Sequence, residues 1–304
     1  MIRIASAAFA ALLTLTSAAQ AAPKVATDIP PVQSLVARVM AGVGAPELVV
    51  PPGASPHAYA MRPSEARKLA GADAVFWIGD ALAPWFGETL AALAPDAETV
   101  ALMDVPGVTL LDAREGATFE AHEEDRAHDA HDEHVWLDPV NARLWLGVIA
   151  ATLSHVDPAN AATYAANAKA GQAELDALMS EVDALLAPVR GKGYVVFHDA
   201  YQYFEARFAV PAAGAIAIGD AAQPSAARVA AIRATISRLG AACVFSEPQF
   251  EPRLVATVIA GTNARAGVLD PLGASLAVGP DLYQAMIRNL ARPLADCLGA
   301  SPAD

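Results

Sequence analysis

Four side chains in this chain have the type and setting of metal ligands. His57 lies in the proline-framed loop Pro51-Pro52-Gly53-Ala54-Ser55-Pro56-His57-Ala58-Tyr59, and His134 stands directly before Val135-Trp136-Leu137-Asp138-Pro139. His198 follows the apolar run Gly193 to Phe197, and Asp270 follows Ala266 to Leu269 and precedes Pro271. Each therefore sits at the end of an apolar run or at an element boundary, where packing holds one side and the other stays open. Imidazole nitrogen and carboxylate oxygen are ligands that zinc accepts, and four of them complete a tetrahedron. Taken singly, a histidine after a strand is more often a packing or capping residue, and an aspartate before proline is usually a turn. Four such positions in a chain of only seven histidines favour the metal reading.

A second group of histidines differs in kind. Between Phe119 and His134 fall four of the seven histidines, and Glu120 to Glu133 carries seven acidic residues and one Arg. So much charge with so little apolar surface reads as a solvated loop. Ligands on such a loop lose conformational freedom when they close on an ion, so His122, His128 and His131 are expected to form a weaker, secondary metal site that collects or senses metal.

The elements that must position these residues alternate as βα units. Strands are expected at Lys24 to Thr27, Glu47 to Val50, Ala74 to Ile78, Val100 to Met103 and Val108 to Leu111, with helices at Val32 to Ala41, Pro63 to Ala70 and Pro84 to Leu93. Two helical runs follow, Asn141 to Leu153 and Ala159 to Leu186, the latter broken only by Gly171 and long enough to cross a domain. The second half resumes with strands at Gly193 to Phe197, Phe208 to Val210, Ala215 to Ile218, Ala242 to Phe245 and Ala266 to Leu269. Its helices are expected after His198 and at Ser225 to Leu239, Pro252 to Ala260 and Pro280 to Leu298. Open α/β sheets bind at the carboxyl ends of their strands, which is where His57, His198 and Asp270 fall.

Composition narrows the setting. Residues 1 to 21 read as a secretory signal: Arg3, an apolar run from Ala7 to Leu15, then Ala19-Gln20-Ala21 as a cleavage site. The run is too short and too broken by Thr and Ser for a stable membrane span, so a soluble periplasmic protein is expected. The net charge of -13 becomes one unit more negative when Arg3 is removed, which disfavours nucleic acid and anionic membranes and suits cations. Cys243 and Cys297 permit one disulfide in an oxidising compartment, or remain two buried thiols.

Four segments together resemble the metal-site motifs of ZnuA-type proteins, the zinc-binding periplasmic components of bacterial zinc-uptake ABC transporters. They are Gly53 to Tyr59 with Arg62-Pro63-Ser64, Glu133 to Pro139, Phe197 to Phe204, and Leu269 to Gly273. The resemblance runs in order along the whole mature chain and extends to Ser246 to Phe250, the acidic histidine loop, and Cys243 with Cys297 as the family's carboxyl-lobe disulfide.

It implies two Rossmann-like α/β lobes joined by one long rigid helix, with Zn2+ bound in the cleft between them. The lobes would span 22–156, with the loop at 119–133, and 188–304, with 157–187 as the connecting helix. The implied ligands are His57, His134 and His198, with Asp270 or a water in fourth place. Some members use a Glu directly before the first histidine, where this chain has Pro56. Glu247 is placed either beside a ligand histidine or at a strand end. The implied protein is a monomer whose partner is a membrane permease, and it is not an enzyme.

Two other functions compete. Manganese-binding relatives and adhesins carry a carboxylate where this chain has His198, and three imidazoles favour the softer zinc. A secreted zinc hydrolase would need an open coordination position and a general base, and the chain holds no His-Glu-x-x-His. If the loop is secondary, a protein lacking residues 120 to 132 but keeping His134 retains one tight zinc site in a calorimetric titration. Loss of all tight binding would overturn that division.

Overall fold

The computed structural model of the protein describes residues 21–114, 119, 131–217, 225–239, 243–249 and 252–299. Apart from Ala21, the expected export signal lies outside the described residues, as do His122 and His128. Two parallel sheets of four strands each form the frame. The first contains β1 (Val25–Thr27), β2 (Glu47–Leu48), β3 (Ala74–Trp77) and β4 (Glu98–Ala101) in the order β2-β1-β3-β4. The second contains β5 (Tyr194–His198), β6 (Ala215–Ala217), β7 (Cys243–Ser246) and β8 (Arg265–Val268) in the order β6-β5-β7-β8. Each order reverses beside its first strand, the place where open α/β sheets leave a crevice. The central strands β3 and β5 are buried along their whole length, as parallel strands covered by helices on both faces must be.

The helices are α1 (Pro30–Val39), α2 (Pro63–Leu69), α3 (Pro84–Leu93), α4 (Pro139–Val156), α5 (Ala161–Leu186), α6 (Gln202–Phe208), α7 (Ala226–Leu239), α8 (Pro252–Ile259) and α9 (Leu282–Gly299). Proline opens the first four, where its fixed φ suits the first turn and its missing N–H costs nothing. Asp138 caps α4 by accepting from Val140 N at 2.9 Å, and Ser225 caps α7 by accepting from Arg228 N at 3.2 Å.

Two expected strands are absent. Val108 to Leu111 runs irregularly towards an isolated bridge between Asp112 and His131. Phe208 instead ends α6, and Ala209 follows in the left-handed conformation with φ of 55°. Both runs are short and apolar, and such runs carry no usable period.

The long helix α5 has 26 residues, about 39 Å at 1.5 Å per residue. It packs on α1 and α4 of the first half and on α6 and α9 of the second. Gly171 permits the closest approach, since a Cβ there would stand 3.0 Å from Leu146 Cδ1 and 3.4 Å from Arg38 Cγ. One apolar core runs without a break from Val25 to Leu298 and takes side chains from both halves. Polar bonds cross the same boundary: Tyr283 N donates to Ser34 Oγ at 2.9 Å, and the Arg207 guanidinium holds both oxygens of Asp138 at 2.7 and 2.6 Å. Cys243 and Cys297 form the disulfide, tying the start of β7 to the last turn of α9. Among the described residues no helix is long and apolar enough to cross a membrane.

The end of β1 carries a buried carboxyl. Asp28 accepts from Ile29 N at 2.7 Å and Ile78 N at 2.8 Å, joining the start of α1 to the end of β3. Burial outweighs these donors and pushes its pKa up to about 7. The folded protein then keeps a proton that the unfolded chain releases near 3.8. The stability this confers is complete below that value and disappears as pH rises through about 7. Urea unfolding of the metal-free protein at pH 5 and pH 7 should therefore show the parent losing more stability than Asp28→Asn. Equal losses would mean that the two amides keep Asp28 ionised throughout.

Candidate metal centre

Three elements deliver three imidazoles to one point. The loop after β2 carries His57; it is braced by Trp85 Nε1, which donates to Pro56 O at 2.9 Å, and by His57 N, which donates to Ser55 Oγ at 3.3 Å. His134 opens the single turn Val135–Leu137, whose three side chains are buried, and Trp136 lies beside its ring at a centroid distance of 5.2 Å. His198 is the last residue of β5. The ring centroids are 5.5 Å apart for His57 and His134, 6.0 Å for His57 and His198, and 4.9 Å for His134 and His198. One nitrogen from each lies within 4.8 Å of the other two, within reach of a single ion.

A carboxylate faces the Nδ1 of every ring. Asp132 Oδ1 is 2.8 Å from His134 Nδ1, Glu133 Oε1 is 3.5 Å from His57 Nδ1, and Glu247 Oε2 is 3.5 Å from His198 Nδ1. A carboxylate only accepts, so these contacts favour the proton on Nδ1 and leave Nε2 with its lone pair for a metal. Asp132 Oδ1 also accepts the His134 backbone N–H at 2.9 Å, which fixes the carboxylate before it fixes the ring. The result is visible at His134, whose Nε2 is buried and has no hydrogen-bond partner among the described residues. Burial, followed by the nearby charge of His198, pushes the His134 pKa down to about 3, and burial pushes Asp132 up to about 6. His134 is thus a neutral ligand throughout the physiological range and needs no deprotonation to receive metal.

The rings border a cavity of about 20 Å³, also lined by Trp136, Glu247, Gln249, Pro271 and Leu272. That volume admits an ion or a water. Asp270 stands one residue away from this wall, but its carboxylate is not grouped with the three imidazoles. Its Oδ1 accepts Leu272 N at 3.2 Å, while Oδ2 is buried without a partner among the described residues; the residue lines the neighbouring cavity beside α9. Trp136 Nε1 donates to Pro271 O at 2.8 Å, so the Asp270-Pro271 turn is nonetheless fastened to the segment that carries His134.

Of the other sequence candidates, Glu247 is 4% exposed, directly follows β7 and sits beside His198, so both of its readings fit its position. His131 is away from the cluster, with its ring 3.3 Å from Asp112. His155 is an exposed residue in the last turn of α4 and pairs with Glu98. Sequence reading counted Asp132 and Glu133 among the charges of the solvated loop, Glu133 also as the start of a motif, and gave neither a partner; they lie against His134 and His57. A deletion meant to spare the cleft must therefore stop at Ala130.

Comparison with known proteins points one way. Residues 25–297 match the family profile described as ZnuA, zinc-uptake complex component A, periplasmic. The high-affinity zinc uptake system protein ZnuA of Brucella abortus is 45% identical, covering 90% of this chain and 91% of its own. The protein of the same name from Paracoccus denitrificans is 42% identical, covering 99% of this chain and 100% of its own. Among solved structures, a crystal structure of ZnuA superposes with a TM-score of 0.78 at 25% identity, covering 91% of this chain and 99% of that one. The periplasmic zinc binding protein TroA from Treponema pallidum matches in fold, with a TM-score of 0.78 at 21% identity over 91% of this chain and 99% of that one.

The carboxylates behind the rings should be measurable without touching the rings. Asp132→Asn keeps the shape and removes the charge that holds His134, so zinc affinity should fall about 10- to 100-fold. Glu98→Gln, which alters only the exposed His155 pair, should leave it unchanged. Equal affinities in a competition titration would show that Asp132 does not prepare its ring.

Proposed function

Since the chain belongs to the family of periplasmic A components of zinc-uptake complexes, we propose that His57, His134 and His198 are the nitrogen ligands of its cargo. The protein captures zinc in the periplasm with high affinity and delivers it to an ABC transporter; it is a solute-binding protein, not an enzyme. The observation that carries the ligand assignment is the convergence of three imidazoles from both halves, each backed by a carboxylate at Nδ1. Neutral nitrogen donors suit zinc better than manganese, which prefers carboxylate and water oxygen. Glu247 faces His198 Nδ1, a position that suits orienting a ligand ring rather than activating a water, and this supports the same reading.

The fourth position is assigned to Asp270. Its buried, unpartnered oxygen and its attachment to Trp136 through Pro271 support the choice; closing the remaining distance would require the turn to move on metal binding. A water is the alternative. The acting unit is the monomer, because one chain supplies all three rings. The lobes are taken as 22–156 and 188–304 with 157–187 between them, and His122, His128 and His131 as a secondary site on the acidic loop. The continuous core and the bonds crossing it support a small movement of the lobes on loading rather than a wide hinge closure.

Metal stoichiometry and competition on the mature protein test the reading directly. Zinc should bind tightly at one site and displace manganese, and His57→Ala, His134→Ala and His198→Ala should each weaken it by at least about 100-fold, a full ligand mattering more than its outer partner. Asp270→Ala should weaken it less, and no change there would assign the fourth place to water. Manganese outcompeting zinc, or histidine variants that bind like the parent, would refute the site.

A further inference from the structure

Both stems of the acidic stretch are fastened to the half of the protein that carries His198. On the incoming side, Leu111 N donates to Tyr203 Oη at 3.0 Å; on the outgoing side, the same hydroxyl donates to Asp132 O at 2.8 Å. The stems also bond to each other, since Asp132 N donates to Leu111 O at 2.8 Å. Tyr203 lies on α6, so a helix of the second half holds a loop that belongs by sequence to the first.

Arg114 makes the strongest of these attachments. Its Nη1 donates to Glu205 Oε2 at 2.7 Å and its Nη2 to Glu205 Oε1 at 3.2 Å. Its Nε donates to Asp199 Oδ2 at 3.0 Å, and its Nη2 also pairs with Asp199 Oδ1. The guanidinium carbon lies 3.7 Å from the centre of the Phe119 ring, so the plane is packed as well as paired. Asp199 directly follows His198, and Glu205 lies on α6. All three side chains are largely shielded from water, at 17% exposure for Arg114, 9% for Asp199 and 3% for Glu205.

A shielded cation between two carboxylates adds little net stability, because desolvation cancels much of the attraction. What a planar fork with fixed donors supplies is geometry. We propose that Arg114 is a positioning residue of the zinc cleft: it clamps the foot of the acidic loop to the residue after His198, keeps His198 and His134 at a fixed separation, and so slows zinc release. Arg114 touches neither imidazole cluster nor cavity and acts only through Asp199 and the stem. Displacing the stem, by whatever engages the loop, would loosen the second half's only imidazole in the described cluster.

The inference rests on the three-histidine site, and the experiment separates the two. Zinc-loaded protein is mixed with excess chelating indicator in a stopped-flow instrument, and association is measured separately. Arg114→Lys keeps the charge but loses the double fork. The triple change Arg114→Met, Asp199→Asn, Glu205→Gln removes the clamp without stranding a buried charge, which guards against a variant that merely misfolds. Both should release zinc about 10- to 100-fold faster, with association changed less than about threefold. Release at the parent's rate from both, whatever their melting temperatures, overturns the clamp. His198→Ala serves as the reference: if it holds zinc like the parent, the site itself is wrong and the clamp falls with it; if it loses zinc while neither clamp variant does, only the clamp is wrong.

Discussion

Three imidazoles can share a closed cleft only if they carry no charge. Two protonated rings about 5 Å apart would repel by about 3 kcal/mol even at an effective dielectric of 20, and burial adds its own penalty. His134, buried and 4.9 Å from His198 between centroids, shows this pressure most clearly. Neutrality then raises a second question, because a neutral ring is a donor at one nitrogen and an acceptor at the other. Asp132, Glu133 and Glu247 answer it by meeting each ring at Nδ1. The acidity of the protein is thus not uniform background: three of its carboxylates orient the rings that meet the ion.

Because the rings come from both halves, their separation is a property of the packing between those halves. A loosely hinged pair of lobes would leave the cluster undefined until an ion arrived. Here α5 touches helices of both sides, the core is continuous across the boundary, and Asp138 at the start of α4 is held by Arg207 of α6. Trp136 joins the two sides at the cleft itself, through its indole to Pro271 and its carbonyl to the Tyr283 hydroxyl at 2.7 Å. Much of the geometry is therefore present before metal binds, and little ordering entropy remains to oppose it.

The sequence made the frame and the three rings legible because strand ends, proline-led helices and Pro-Gly loops are local signals. His57, His134 and His198 each stood next to such a signal. The long helix was legible for the same reason, and Gly171, which looked like a flaw in it, proves to be a contact point. What the sequence hid lay inside the charged stretch. Composition there spoke for solvent, yet Asp132 is only 4% exposed and bonded to His134. Its position two residues before a candidate ligand was the available clue. Arg114 gave no local clue at all, since both of its carboxylate partners lie more than eighty residues away. Asp270 was legible from its motif near a strand end, but the bond of its Oδ1 to Leu272 N is not.

The cavity of about 20 Å³ bears on how cargo enters and leaves. Aqueous zinc travels inside a shell of water, and it sheds that shell as the imidazoles replace it, one exchange at a time. Loading can proceed downhill, each nitrogen compensating for a departing water. Unloading retraces the same exchanges uphill, each water displacing a nitrogen, so the tighter the ion is held the slower it leaves. The walls are held by a continuous core and by the bonds that cross it, so the exchanges take place between rings held in position. A partner that widened the cleft would let several waters in together, so the rigidity that holds the cargo also sets what an acceptor must change to collect it.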